Sequence, residues 1–296
     1  MADSKQRILI QLDSSPHASV FDAVTAIDAG ADRLLQYGGI EPDQVRELIH
    51  GAMFTRGLDE LKNTAVFVGG PSVEASERIL EAVKHSFFGP FRVSVLFDAN
   101  GANTTASAAV LAAERECGGS LKDVPVAVMG ATGPVGHRVA RLLCGLGARV
   151  AVGSRSRDRA AALAESLDQT LGARAEPFAA DDLAQVLGGR AVVIAAGAAG
   201  VRLMPRDLWR GLESLKVIID LNAVPPLGVE GVEATDKSTS KGNVKAWGAL
   251  GVGGLKMKIH KRSIQELFTS NDKVLDVEQV LEIGRRLEPP PLIPRS

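Results

Sequence analysis

Gly130, Gly133 and Gly136 follow a short apolar run, "VAVM", and lead into a segment carrying Val139, Leu142 and Leu143 at helical spacing. A strand, a glycine turn and a helix in that order let backbone N–H groups and a helix N-terminus face a pyrophosphate, with no side chains in the way. The turn residues Gly130, Ala131, Thr132, Gly133, Pro134, Val135 and Gly136 are the candidate phosphate contacts. The next strand ends in "GSRSRDR". An NAD site places an acid there for the ribose hydroxyls, whereas a 2′-phosphate requires the acid absent and a cation present. Ser154 stands in the acid's place, Ser156 follows, and Arg155 and Arg157 offer planar donor forks, so NADP is the expected cofactor. "AAGAAG" and "DLNA" fall at carboxyl ends of predicted strands, where open α/β sheets bind ligands, and make Ala196, Gly197 and Asn222 candidates for the nicotinamide end.

A second constellation is "GVGGLKMKIHKR", which runs from glycines into cations and then into "SIQELF", a helical pattern. The helix is read as starting near Ile259, with the lysines at its first turn. There a cation is disfavoured by roughly 0.3–1 kcal/mol, so a ligand would have to justify it. In a helix Lys256 and Lys258 lie about 200° apart and cannot serve one ligand; alternating Leu255, Met257 and Ile259 would alternatively suit a strand with both lysines on one face. Asp13 and Asp98 each end a predicted strand, where a carboxylate either faces a cationic product or caps the next element. "NGANTT", Asn100–Thr105, reads as a turn and helix cap. The five histidines show no metal-ligand spacing and no Gly-x-Ser-x-Gly nucleophile turn occurs, so no metal is expected.

These residues must be positioned by alternating short β-rich runs and amphipathic segments, first over "RILIQLD" to "RVSVLFD" and again from Val126 to "KVIID". That rhythm predicts two α/β domains, each with a parallel sheet, the second Rossmann-like. The predicted division is 1–115 with 253–296 as substrate domain and 116–252 as cofactor domain, joined through the polar "GGSLKDVP". The stretch after "LNAVPPLG" reads as irregular, and "EPPPLIPRS" as a frayed end. The net charge is −1, from 34 basic and 35 acidic residues, which gives no overall field for nucleic acid or an anionic membrane. Cys117 and Cys144 form no disulfide or zinc pattern, and no apolar run reaches the length of a membrane span or a signal core. A cytoplasmic protein is expected.

With the "GATGPVG" turn, the strings "QLDSSPHASVFDA", "LQYGGI", "GPFRVSVLFDANGANTTASAA" and "NAVPPLGVEGVEATDK…WGALGVGGLKMKIH" resemble the NADP-dependent methylene-tetrahydromethanopterin and methylene-tetrahydrofolate dehydrogenases of bacterial one-carbon metabolism. The resemblance runs from about Ile8 to Leu287. It implies two domains with a cleft, a homo-oligomer (dimer or trimer), and reversible oxidation of a methylene-tetrahydropterin to the methenyl form. It also implies that Lys256 faces the pterin and that Asn103 and Thr104 line the cleft. A non-catalytic NADP(H)-sensing module and a shikimate-type dehydrogenase are the alternatives.

Overall fold

Ile8–Asp13 is apolar except for Gln11 and its terminal aspartate, and it forms a strand, β1, buried from Leu9 onward. The computed structural model describes residues 5–287, so the proline-rich tail lies outside the described residues. The chain divides into two compact units, 5–104 with 257–283 and 105–256 with 284–287.

In the first unit β1 is followed by α1 (Val20–Asp28), β2 (Arg33–Tyr37), α2 (Pro42–Met53), β3 (Thr64–Gly69), α3 (Val73–His85) and β4 (Ser94–Phe97). Each helix starts on a local signal. Ser19 accepts from the Asp22 N–H at 3.2 Å, Gln44 accepts from the Glu41 N–H at 2.9 Å ahead of Pro42, and Ser72 accepts from the Ala75 N–H at 3.3 Å. β3 and β4 are buried throughout, as inner parallel strands must be, and read as apolar runs after a single polar residue, Thr64 and Ser94. The sheet has five parallel strands in the order β12-β4-β3-β1-β2, where β12 (Val274–Leu275) arrives from late in the chain. Ile10, Leu12, Val66, Val68 and Phe97 pack with Val45, Ile49, Ile79 and Val83 of α2 and α3. Each such side chain contributes roughly 1.5–3 kcal/mol relative to exposure.

Helix α4 (Ala102–Glu116) leads to β5 (Pro125–Met129), α5 (Pro134–Gly145), β6 (Arg149–Ser154), α6 (Arg157–Leu171), β7 (Glu176–Ala179), α7 (Leu183–Leu187), β8 (Val192–Ala195), α8 (Arg206–Arg210) and β9 (Val217–Asp220). Then come β10 (Lys237–Lys241), β11 (Val244–Trp247), α9 (Ala249–Leu267), β12 and α10 (Val277–Leu287). The second sheet has seven strands in the order β10-β11-β9-β8-β5-β6-β7. It is parallel except for the antiparallel pair β10–β11, so the expectation of irregular structure after "LNAVPPLG" is corrected. The hairpin's signal was Gly242–Asn243, a two-residue loop with Gly242 at φ 73°. Its first strand, "KSTSK", lies at the sheet edge and buries no complete apolar face, which hides it from periodicity.

Helix α9 begins at Ala249, ten residues before the start read from sequence. The reason lies in Gly248 and Gly251. A Cβ on Gly248 would overlap the Glu233 carbonyl oxygen, and one on Gly251 the Asp236 carbonyl oxygen, so the helix start sits directly on the 233–237 backbone. The Ala234 carbonyl accepts the Leu250 N–H at 2.8 Å, satisfying one donor that a helix start leaves over. No helix among the described residues is long and apolar enough to cross a membrane.

Candidate functional site

The β5–α5 turn is built around three glycines with different physical reasons. Gly130 has φ 71°, and a Cβ there would lie 2.7 Å from the Gly197 Cα and 2.8 Å from the Ala196 carbonyl oxygen. At Gly136 a Cβ would overlap the Gly130 carbonyl oxygen, so that glycine lets α5 press against its own turn. Gly133, the N-cap, has an ordinary φ of −82°, and the nearest atom a Cβ would meet is 3.4 Å away. The fold requires the outer two glycines, whereas the middle one is required only by something that approaches from outside. No side chain caps the first turn of α5, and Pro134 at its start has no N–H to leave unmet.

A cavity of about 300 Å³ opens beside this turn. Gly130, Thr132, Gly133, Pro134, Ser154, Arg155, Ala196 and Gly197, all expected from sequence, line it together with Arg159, Phe178, Leu183, Val201 and Leu203, which were not. The Thr132 and Ser154 hydroxyls lie 3.1 Å apart and join the glycine turn to the end of β6. Phe178 packs its ring on Gly153, where any Cβ would collide with it. The lining holds two arginines and no carboxylate. This is the charge pattern of a pocket for an anion, here at a strand end where a dinucleotide's ribose sits.

Six of the expected cofactor residues, Ala131, Val135, Gly136, Ser156, Arg157 and Asn222, do not line the cavity. Arg157 is ion-paired with Asp182 at 2.9 Å and lines a separate depression with Glu176 and Arg190, so Arg159 stands where Arg157 was expected. Residues two apart on a helix point about 200° from each other, and Ser156, whose hydroxyl accepts the Arg159 N–H at 3.4 Å, fixes where α6 begins. Ala131 is fully buried, its N–H donating to the Gly153 carbonyl at 2.8 Å, and Val135 is half-buried in the first turn of α5. Asn222 serves its own loop: its amide donates to the Pro226 carbonyl at 3.2 Å and its oxygen accepts the Val224 N–H at 2.9 Å. Beside it, buried Asp220 accepts the N–H groups of Asn222 and Val229 at 3.0 and 2.8 Å. Burial pushes its carboxyl above the usual carboxylate range, and those N–H donors work against the shift.

In the first unit the expected substrate-facing residues are tied into the fold. Asp98 accepts the Thr104 N–H at 3.0 Å and the Thr104 hydroxyl at 2.7 Å, which caps α4. Asn103 donates its amide to the Phe97 carbonyl at 2.7 Å and to Asp276 at 2.9 Å. Asp13 accepts the Ser15 N–H and hydroxyl at 2.8 and 2.7 Å and the Ser19 N–H at 3.1 Å. All four side chains are at most 1% exposed. Of the two roles left open for the aspartates, capping is the one this geometry gives. Lys256 lies about two turns inside α9 and is half-buried, while Lys258 is exposed. The first-turn dipole cost therefore does not apply to either lysine, and the helical alternative holds over the strand.

Together, the glycine turn, the arginine-bearing cavity and the largely parallel seven-stranded sheet define a Rossmann-type dinucleotide-binding unit, carried in one chain with a second α/β unit. Residues 20–100 match the family model described as methylene-tetrahydromethanopterin dehydrogenase, N-terminal. The chain is 42% identical over 285 residues to "Bifunctional protein MdtA" of Methylorubrum extorquens, covering 95% of this chain and 99% of that protein. It is 28% identical to the NAD(P)-dependent methylenetetrahydromethanopterin dehydrogenase of the same organism, covering 90% and 93%. This chain belongs to the methylene-tetrahydromethanopterin dehydrogenase family. Two solved structures share its fold. They are a shikimate 5-dehydrogenase from Mycobacterium fortuitum (TM-score 0.52, 15% identical, 94% of this chain and 98% of that one) and the quinate dehydrogenase from Corynebacterium glutamicum in complex with NAD (TM-score 0.50, 16% identical, 94% and 98%).

Proposed function

We propose that this chain catalyses the reversible NADP-dependent oxidation of methylene-tetrahydromethanopterin to the methenyl form by direct hydride transfer, with methylene-tetrahydrofolate as a second substrate. One observation carries it: in a chain of this family, a cavity floored by glycine backbone holds Arg155 and Arg159 and no carboxylate. The Gly130–Gly136 turn and the start of α5 hold the pyrophosphate, and the two arginines hold the 2′-phosphate through charge-assisted hydrogen bonds. Ala196 and Gly197, following β8, lie toward the nicotinamide end. When bound, NADP supplies the ring that accepts the hydride.

Loss of a hydride from the bridging carbon leaves a cation delocalised over its two nitrogens, so no proton moves in that step and no acid–base pair is needed. Catalysis then rests on positioning and electrostatics. Lys256 donates hydrogen bonds to a polar group of the pterin away from the reacting carbon. A cation 5 Å from the methenyl centre would raise its energy by about 3 kcal/mol at an effective dielectric constant of about 20.

The test uses a pterin dideuterated on the bridging carbon, mixed with the protein and NADP. The expected result is a rise in NADPH absorbance with one deuterium carried per NADPH. NADP binding without turnover of either pterin overturns the proposal in favour of a non-catalytic sensor of NADP(H), and deuterium released to solvent overturns direct transfer.

A further inference from the structure

Asp220 ends β9 in register with Ala195, the last residue of β8, and its side chain is buried. It does not line the cavity, so it reaches a ligand there only through other residues. A buried carboxylate is costly unless its oxygens are satisfied, and here both serve one loop. One oxygen accepts the Asn222 N–H at 3.0 Å, the other accepts the Val229 N–H at 2.8 Å, and the Gly228 N–H is directed at the same carboxylate. The loop lies so close that a Cβ on Gly228 would stand 2.7 Å from an Asp220 oxygen.

A line of close contacts runs from this loop to the cavity. The Gly228 carbonyl accepts the N–H groups of Leu203 and Met204 at 2.8 and 3.1 Å, and the Met204 carbonyl accepts the Glu230 N–H at 3.0 Å. Those bonds set the Leu203 side chain down on Gly197, where a Cβ would meet it at 2.6 Å. Gly197 in turn lies against Gly130, whose Cβ would be 2.7 Å from the Gly197 Cα. Leu203, Gly197 and Gly130 all line the cavity. Interiors packed this closely transmit a shift at one end to the other.

We infer that Asp220 is a positioning residue for the nicotinamide end of the site: it pins the 221–229 loop, which holds Leu203 as the apolar wall against which the ring packs. This rests on the NADP assignment proposed above. Asparagine cannot replace it, because the amide nitrogen would face one of the N–H groups that the carboxylate accepts. The phosphate end is held by other residues, Arg155 and Arg159, so a disturbance at Asp220 reaches one end of the cofactor and spares the other.

The test titrates the full chain with NADP and with 2′,5′-ADP, which keeps the adenosine and its 2′-phosphate but has no nicotinamide. Asp220→Asn should weaken NADP about fivefold to tenfold, as expected for one lost buried hydrogen bond, and leave 2′,5′-ADP within about twofold. Leu203→Ala should weaken NADP as well, and adding Asp220→Asn to it should cost less than about twofold more, because residues acting in series are not additive. At saturation NADPH should fluoresce more strongly on wild type than on Asp220→Asn, since the wall shields the reduced ring from water. Hydrogen exchange of wild type gives a readout that stands even if Asp220→Asn does not fold: NADP should slow the Leu203 and Met204 amides, and 2′,5′-ADP should not. NADP binding untouched by Asp220→Asn, equal weakening of both ligands, full additivity with Leu203→Ala, unchanged NADPH fluorescence, or equal slowing by the two ligands overturns this inference and leaves the cofactor assignment standing. A wild type that binds neither ligand overturns the cofactor assignment, and this inference with it.

Discussion

Replacing Arg159 by alanine is the sharpest probe of the cofactor assignment, because sequence and structure disagree on which arginine beyond Arg155 meets the 2′-phosphate. A hydrogen bond to a charged group is worth roughly 1.5–3 kcal/mol. Both Arg155 and Arg159 are exposed at the cavity mouth, so solvent screening puts each in the lower part of that range, roughly 1.5–2 kcal/mol. At about 1.4 kcal/mol per factor of ten, Arg159→Ala should raise the NADP dissociation constant about tenfold to thirtyfold, and Arg155→Ala likewise. The double variant should lose several hundredfold if the two act independently. NAD, lacking the phosphate, should bind each variant almost as wild type does. Arg157→Ala is the control: its guanidinium is spent on Asp182, so NADP affinity should change by less than about threefold. Isothermal titration with both nucleotides at one fixed ionic strength measures all four variants beside wild type. An Arg157→Ala loss equal to that of Arg159→Ala, or an Arg159→Ala loss shared equally by NAD, would refute the assignment.

Gly133→Ala should leave the melting temperature unchanged while weakening NADP tenfold or more, whereas Gly136→Ala should lower melting by several degrees, because only the latter collides with the protein's own backbone. Thermal melts with and without NADP separate the two, and equal melting losses would contradict the division of roles. Lys256→Ala should reduce turnover with the pterin and leave NADP affinity within about twofold; steady-state kinetics beside a nucleotide titration decides, and a parallel loss of NADP affinity removes Lys256 from the pterin side. Asp220 supplies a pH test. Its folded pKa is raised above 3.8, so the folded protein holds this proton to higher pH than the unfolded chain. This group's contribution is fully present below that ordinary value and is lost as pH climbs through the raised one. Asp220→Asn should flatten that fall in urea-unfolding stability above about pH 4, at a fixed cost of about 1–3 kcal/mol because the amide replaces one acceptor with a donor. Identical pH slopes for the two proteins would contradict it.

Much of this protein is written locally. The strand, glycine turn and helix at 125–145 and the whole of α6 at Arg157–Leu171 follow from signals a few residues apart: an apolar run, a capping serine, a helical period. The glycines of the cofactor turn and the missing acid at Ser154 were legible for the same reason, since backbone freedom and residue type need no distant partner. What tertiary structure decided depends on residues far apart in the chain. Arg157 turns from the cavity toward Asp182, 25 residues on, and Arg159 takes the wall instead. Asn103 finds Asp276, 173 residues away. Gly251 is glycine because the Asp236 carbonyl presses on it, so a stretch that reads as a loop is helix. The outward apolar face of α1 has the spacing of an ordinary amphipathic helix, and only the packed fold reveals which side of it is left to water. Composition and period specify an element and its caps, but the direction a side chain faces is set by what the rest of the chain brings beside it.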